Sequence, residues 1–178
     1  TAQGEPLKND IDVSFIGQKT PARARLAEEL RRRGIGVFVR GWGWPEGRVS
    51  HEEMLQIVSR SKIVLNLNDP PSRWEPRSLA RLFLERSRDK IAPSARLIDN
   101  FKSWRGIGTP QIKARLFELA ACRAFIISGH ADNIGNYFEE NKEMVFYSDA
   151  GNLAEKIKRY LADDAARERI ARAGYERT

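Results

Sequence analysis

Two cations and a carboxylate lie close together in one short segment, with Lys113, Arg115 and Glu118 inside TPQIKARLFELA (109–120). Thr109-Pro110 is a typical helix start, so both cations fall where the helix dipole opposes positive charge, unless an anion is near. Arg offers a forked donor to phosphate and Lys a point charge, while a carboxylate accepts hydrogen bonds from vicinal hydroxyls. This set is typical of a nucleoside-diphosphate site. The alternative is a solvated helix edge on which the carboxylate pairs with a neighbouring cation.

A second candidate anion site is GQKTPARAR (17–25), which follows a β-branched, alternating run. Gly17 would allow a close backbone approach, and the helix start after Thr20 would offer free N–H groups. Lys19 and Arg23 add positive charge. The segment contains neither GxGxxG nor GxxxxGK[ST], so the common dinucleotide and nucleoside-triphosphate sites lack their motifs. A plain strand-to-helix turn with solvated cations explains these residues slightly better than a phosphate site.

The loop GWGWPEG (41–47) places two tryptophans between glycines after a predicted strand. Aromatic rings in such a loop would stack on a base or a sugar ring. They would equally serve to cover a core or to form a domain interface, and the sequence leaves both interpretations open.

Metal and nucleophile chemistry has little support in the sequence. The two histidines, His51 and His130, are far apart, and no cluster has a metal-ligand spacing. No Ser/His/Asp set is present. The single cysteine, Cys122, excludes an internal disulfide, and we expect it to be buried and inert. The sequence therefore predicts no metal and no cofactor, and it assigns no catalytic residue.

Composition indicates an ordinary globular protein of 178 residues, long enough for one full-sized domain. The net charge of +7 fits a phosphorylated small molecule, a nucleic acid or a membrane surface. Most of the imbalance lies in residues 70–106, an irregular, Pro- and Trp-containing stretch. The chain starts with Thr and its first ten residues are polar, so we expect a cytoplasmic fragment of a longer protein without a signal peptide.

Strand and helix patterns alternate about five times, which predicts an open, Rossmann-like parallel sheet with helices on both faces. Such sheets bind ligands beyond the carboxyl ends of their strands. The candidate site segments should therefore converge at one edge. Strands are predicted at 11–17, 35–40, 62–68, 124–128 and 143–147. Helices are predicted from Thr20-Pro21 to Gly34, from Ser50 to Ser59, and at 78–88 (short and basic), 110–121, 131–140, 152–161 and 164–173, with Gly174 as a stop.

Four segments resemble, in order, the C-terminal half of a GT-B glycosyltransferase, with the CgeB-like branch of the group 1 families closest. They are DVSFIG, SKIVLNLN, IKARLFELAACRAFIIS and the stretch from YFEENKEMVFYSD to the end, so nearly all the chain is covered except 70–106. Lys113, Arg115, Phe117 and Glu118 match the K-x-R-x-F-E helix of this family. Arg123 stands where relatives usually have glycine.

The resemblance implies a domain that holds a nucleotide-diphosphate sugar of the UDP or GDP type. It implies that Glu118 binds the ribose hydroxyls, as the second Glu of an E-x7-E pattern does in related enzymes. It also implies that the base lies near the loop starting at Arg40 and Gly41.

The first turn departs from the family pattern. Relatives often carry Arg directly after Gly17, where this chain has Gln18. The missing positive charge would then come from Lys19, or from Lys113 with Arg115. A metal would not be needed, because cations and a helix N-terminus stabilise a diphosphate leaving group.

The expected organisation is one Rossmann-like donor domain over 1–178, with a basic insert at about 70–106 and an acceptor domain absent. Such a fragment is expected to bind a nucleotide sugar without efficient turnover. The insert would dock the missing domain, an anionic acceptor or a membrane face, or be a solvated excursion. The alternative function is a non-enzymatic module that binds a protein or, through Trp74 and Trp104, a nucleic acid. For the glycosyltransferase domain itself, no nucleic-acid partner is expected. A receiver-like domain is disfavoured because the first strand does not end in paired acidic residues.

Overall fold

The computed structural model describes residues 9–68, 84–87, 90–93, 112 and 114–178. The chain divides into two compact units. The main unit consists of Thr1–Asn68 and Ile112–Thr178, and the second unit is Asp69–Gln111, which contains the predicted insert. In the second unit, β4 (Leu84–Ser87) pairs antiparallel with β5 (Lys90–Pro93).

The main unit is built on a parallel sheet of five strands in the order β2-β1-β3-β6-β7. This confirms the predicted Rossmann-like α/β fold class. Since β2 lies on one side of β1 and β3 on the other, the chain reverses direction across the sheet between β1 and β3. The carboxyl ends of these two strands therefore border the crevice where open α/β sheets bind ligands. The strands are β1 (Ile11–Ile16), β2 (Phe38–Arg40), β3 (Ser61–Asn66), β6 (Ile126–Gly129) and β7 (Val145–Tyr147).

Five α-helices are described, and four of them begin at side-chain N-caps. Thr20, Asp149 and Asp163 each accept a hydrogen bond from a backbone N–H of the first turn. Ser50 and Glu53 form a complete capping box. The helices are α1 (Pro21–Arg32), α2 (His51–Arg60), α3 (Ala114–Ala121), α4 (Ala150–Leu161) and α5 (Asp164–Arg177), with a 3-10 turn at Ile134–Asn136.

Apolar side chains cover both faces of the sheet, as the β-branched strands require. One face packs against α1, α4 and α5 through residues such as Leu30, Ile157 and Ile170. The other packs against α2 and α3 through residues such as Met54 and Leu116. The two layers hold the strand ends, and the loops that leave them, in fixed positions.

Two predicted helices are wrong. The helix expected at 131–140 is only a 3-10 turn, because Asn133 takes a left-handed conformation (φ 60) that an α-helix does not allow. The short basic helix expected at 78–88 contains β4 at its carboxyl end, and 78–83 lie outside the described residues. The second strand is also shorter than predicted, starting at Phe38 rather than 35.

Gly174 does not stop the last helix, which continues to Arg177. A Cβ at Gly174 would lie 2.5 Å from the carbonyl oxygen of Glu143. The glycine therefore serves the close packing of α5 against the loop before β7, which a helix-end signal in the sequence did not reveal.

Candidate functional site

The loops after β1 and β2 are joined by three hydrogen bonds. The N–H of Gly17 donates to the carbonyl of Arg40 at 2.9 Å, and the N–H of Lys19 to that of Trp42 at 2.8 Å. The indole Nε1 of Trp44 donates to the carbonyl oxygen of Gly17 at 3.0 Å. The predicted site segments at 17–19 and 40–41 therefore form one structural unit at the carboxyl edge of the sheet.

Both glycines of this unit are required by packing within the protein. A Cβ on Gly17 would lie 2.7 Å from the ring of Phe15. A Cβ on Gly41, whose φ is +132, would lie 2.2 Å from the carbonyl oxygen of Gly17. The space that a Cβ on Gly17 would occupy is therefore filled by Phe15, and the close approach of a ligand to this backbone stays a prediction.

Arg23 is buried behind the same turn, with 8% of its surface exposed. Its Nη1 donates to the carbonyl of Gln18 at 2.9 Å and its Nη2 to that of Leu67 at 2.8 Å. Its guanidinium also lies over the ring of Phe15, 5.2 Å from the centroid. This cation is therefore a structural link between the ends of β1 and β3 and not a solvated residue of a plain turn.

The backbone of the β1–α1 turn offers fewer donors than expected. Pro21 has no N–H, and that of Arg23 is capped by the Thr20 hydroxyl at 3.2 Å. The N–H groups of Gln18 and Ala22 have no acceptor within the described part of the chain. These two groups are the ones that an anion at this turn would meet.

Arg115 reaches this turn from α3. Its Nη1 donates to the carbonyl oxygen of Ile16, the last residue of β1, at 3.0 Å. Leu116 and Leu119 on the buried side of α3 fix the orientation of the helix. The structure thus brings one predicted cation to the residue before Gly17, from a position 99 residues along the chain.

Glu118 is exposed and follows Arg115 by three residues, which places both on one side of α3. The negative charge of its carboxylate also affects the pKa of the Cys122 thiol, one helical turn further along the chain. Desolvation first, and this carboxylate second, raise the pKa of Cys122. Cys122 is exposed rather than buried as expected, but the raised pKa keeps it a poor nucleophile. Lys113 lies outside the described residues.

Arg40 contributes mainly through its backbone. The pKa of Glu53, at the start of α2, lies below its ordinary value. The main cause is the hydrogen bond from the N–H of Ser50, and the positive charge of the Arg40 guanidinium makes a smaller contribution. The Nε of Arg40 is buried without an acceptor among the described residues. Its carbonyl, in contrast, holds Gly17 in place.

The two tryptophans of the β2 loop have different environments. Trp44 is partly buried against the core, with Lys19 Nζ 5.4 Å from its ring centroid. Trp42 is 60% exposed. Trp44 thus covers the core, one of the two interpretations that the sequence left open, and stacking on a ligand ring stays a prediction for Trp42.

A buried polar cluster at the ends of β3 and β6 was not predicted. Asn66 Nδ2 donates to Ser128 Oγ at 2.9 Å, and Asn68 Nδ2 to the carbonyl of Gly129 at 3.0 Å. All three side chains are more than nine-tenths buried. The signal in the sequence was the pair of asparagines that interrupts the apolar run KIVLNLN. The cluster fastens β3 to β6 beside the crevice.

A cavity of about 360 Å³ lies at the opposite, amino-terminal edge of the sheet. It is lined by residues at the starts of β3 and β6, such as Lys62 and Ala124, and by one side of α5, including Arg167. The guanidinium of Arg167 is already bonded to Tyr160, Leu161 and Asp164. This cavity contains none of the predicted site residues.

The described residues offer neither a metal-binding cluster nor a membrane-spanning helix. They contain no group of three His, Cys, Asp or Glu side chains that would hold a metal ion. Their helices include none that is long and apolar enough to cross a bilayer.

Comparisons with known structures support the fold. TarM matches with a TM-score of 0.58 at 10% identity, over 96% of this chain and 32% of that one. AviGT4, a glycosyltransferase involved in avilamycin A biosynthesis, matches at 0.57 and 14%, over 96% and 46%. Sucrose-phosphate synthase from Thermosynechococcus elongatus matches at 0.53 and 15%, over 95% and 41%. The chain thus spans less than half the length of each of these structures.

The sequence comparisons identify a family. No curated protein matches the chain. A family model described as glycosyl transferase-like matches residues 22–178. The resemblance to GT-B glycosyltransferases is confirmed at the level of family and fold, and the CgeB-like branch stays a prediction. Because the match covers most of the sequence, the chain belongs to the glycosyl transferase-like family.

Proposed function

We propose that the main unit is the donor domain of a glycosyltransferase, which binds the nucleoside diphosphate of a UDP- or GDP-sugar for transfer of the sugar to an acceptor. The observation that carries this proposal is the hydrogen bond from Arg115 to Ile16. It places the cation of the K-x-R-x-F-E helix at the carboxyl end of β1, where sheets of this kind bind ligands.

The charges and donors at the turn suit a diphosphate. The remaining N–H groups of the Arg115 guanidinium, the Lys19 ammonium and the free N–H groups of Gln18 and Ala22 can all donate to phosphate oxygens. They would bind both the intact donor and the diphosphate released from it. Since negative charge grows on the leaving group as the glycosidic bond breaks, fixed donors of this kind lower the barrier.

Glu118 is assigned to the ribose. A carboxylate accepts two hydrogen bonds, and the hydroxyls of a ribose diol are the matching donors. Its position three residues after Arg115 puts the diol acceptor on the same side of α3 as the phosphate donor. Lys113, which precedes α3 in the sequence, would add a second cation.

The acceptor site and the remaining catalytic groups are proposed to lie in another domain. The chain covers 32–46% of the structures that it resembles, so the activity of the whole protein goes beyond this unit. We expect donor binding without efficient turnover from this chain. A cytoplasmic location, and a membrane contact made by 70–106, remain predictions.

Calorimetric titration with UDP and GDP tests the donor site directly. We expect one of them to bind, and Arg115→Ala to weaken it by about tenfold or more, since each lost charge-assisted hydrogen bond costs more than 1 kcal/mol. Arg169→Ala, which removes an exposed Arg from α5, is the matched control and should leave binding unchanged. The absence of measurable binding of both UDP and GDP would contradict the proposal.

The ribose assignment needs its own comparison. Glu118→Ala should weaken UDP or GDP by about tenfold but should leave pyrophosphate binding unchanged, because only the former carries the diol. Glu155→Ala, an exposed Glu on α4, is the control. Unchanged UDP and GDP affinity in the Glu118 variant would show that the ribose is held elsewhere.

The alternative of a nucleic-acid module stays a prediction, because Trp74, Trp104 and most of the basic segment lie outside the described residues. The same titrations can include a single-stranded oligonucleotide at two salt concentrations. Tight, salt-dependent binding of the oligonucleotide, together with no binding of diphosphates, would favour the alternative over the proposed donor site.

A further inference from the structure

Arg23 differs from its neighbour Arg25 in where its charge lies. Both are in the first turns of α1, but Arg23 is buried and Arg25 is exposed. Burying a charged guanidinium is costly unless hydrogen bonds replace its water. Arg23 is buried at the turn to which the donor diphosphate is assigned. A role in ligand binding, as well as in folding, would explain the burial of its charge.

The two terminal nitrogens of Arg23 bridge the crevice. Nη1 binds the carbonyl of Gln18 in the β1 turn, and Nη2 binds that of Leu67 after β3, 44 residues away. These segments are the two walls of the crevice at which the strand order reverses. A planar fork fixes both the distance and the angle between two acceptors, which a lysine ammonium does not.

The positive charge of Arg23 lies close to the backbone of the β1–α1 turn. Nη1 is 3.5 Å from the point where a Cβ on Gly17 would be. The Phe15 ring supports the guanidinium from below. A buried charge is screened by salt much less than an exposed one, so it contributes a lasting positive potential at the turn.

We propose that Arg23 is a positioning residue for the donor diphosphate, which sets the width of the crevice and supplies a fixed positive charge behind Gly17. The inference rests on the proposed donor site and extends it, because Arg23 acts through the turn and does not touch the ligand. On this inference, Arg23 affects the affinity for the diphosphate part of the donor and does not affect the affinity for the nucleoside part.

The test compares Arg23→Met and Arg23→Lys with Arg25→Met, using NMR titrations with UDP, GDP, pyrophosphate and the free nucleosides. In Arg23→Met the affinity for UDP or GDP and for pyrophosphate should fall by about tenfold or more, a change of about 1.4 kcal/mol. Nucleoside affinity should stay within about twofold of the original value. Arg23→Lys keeps the charge without the fork, so it should recover part of the loss. Arg25→Met should bind like the unmodified chain.

Each outcome decides a different point. An Arg23→Met chain that is folded and binds pyrophosphate normally overturns the inference, as does an equal loss for nucleoside and pyrophosphate, which would indicate a purely structural role. If Arg23→Met does not fold, Arg23→Lys alone decides, since pyrophosphate affinity equal to that of the unmodified chain contradicts the positioning role. If the unmodified chain binds neither UDP nor GDP, the proposed function itself fails and the inference fails with it.

Discussion

At the scale of single residues, the contact between Gly41 and Gly17 is the most restrictive feature of the site. Two backbone segments cross there without side chains, and the φ of Gly41 is one that other residues rarely adopt. The contact holds the loop of Trp42 and Trp44 against the β1 turn. Any side chain at Gly41 would push the two loops apart.

Gly41→Ala should therefore lower the free energy of unfolding by about 2 kcal/mol or more, because it combines backbone strain with a clash. Chemical denaturation measures this. Gly36→Ala is the control, since nothing lies within 4 Å of a Cβ at Gly36, and its effect should stay within about 0.5 kcal/mol. Similar effects for the two variants would contradict the crossing that we describe.

Arg123, at the position where the resemblance implies a glycine, also has a left-handed backbone (φ 56). Its guanidinium lies 4.5 Å from the ring centroid of Tyr175. The left-handed conformation costs about 1–2 kcal/mol for a residue other than glycine, and a cation–π contact returns about 0.5–1 kcal/mol. The side chain thus compensates for much of the strain that it causes.

Arg123→Gly should accordingly change the free energy of unfolding by less than about 1 kcal/mol, because strain and contact are lost together. Arg123→Ala keeps the strain and loses the contact, so it should be the less stable of the two. Thermal and urea denaturation of both variants provide the measurement. A glycine variant less stable than the alanine variant would show that the backbone is not strained.

Prediction from sequence worked unevenly for the site residues. Arg115 was predicted from its type and its place in the first turns of a helix; the structure brings it to the end of β1, and its binding of an anion stays a prediction. Arg23 was treated only as added charge, because nothing in GQKTPARAR tells which cation turns inward. That choice depends on Phe15 and on the carbonyl of Leu67, which no local pattern reveals.

At the scale of elements, the capping box of α2 links stability to pH. The pKa of Glu53 is lowered chiefly by the backbone N–H of Ser50. A carboxyl group whose pKa is lower in the folded than in the unfolded state adds stability above its unfolded pKa. This contribution disappears as the pH falls through the folded-state value.

Glu53→Gln should therefore be less stable than the unmodified protein at neutral pH. The difference between the two should shrink as the pH is lowered through and below the ordinary carboxyl range. Urea denaturation at a series of pH values measures this difference. A gap that stays constant down to strongly acidic pH would mean that the charge of Glu53 does not contribute.

Element boundaries show where local patterns were sufficient. Thr20-Pro21 and Ser50 with Glu53 fixed the starts of α1 and α2, because N-caps are local chemistry. The region 131–140 misled the prediction because its apolar spacing suited a helix, while Asn133 turned the backbone the other way. The order of the strands was not predictable, since it depends on pairing between distant segments.

At the scale of the whole molecule, the proposed site relies on fixed cations and N–H groups, so it should work without a metal. The addition of EDTA should leave UDP or GDP affinity unchanged, and Mg²⁺ should raise it by no more than about twofold, because protein groups would already balance the diphosphate charge in the proposed site. Calorimetry in the two conditions checks this. Binding that disappears with EDTA would require metal ligands that the described residues do not provide.

The bond between Arg115 and Ile16 joins segments 99 residues apart. Chains held together by such distant contacts tend to fold slowly, because the entropy cost of closing the loop comes before the favourable energy of the contact. The β1 turn is available early in synthesis, but α3 can reach it only after the whole segment between them has been made. Affinity for the proposed nucleotide donor would therefore report the completion of folding, and a chain truncated before α3 should not bind that donor.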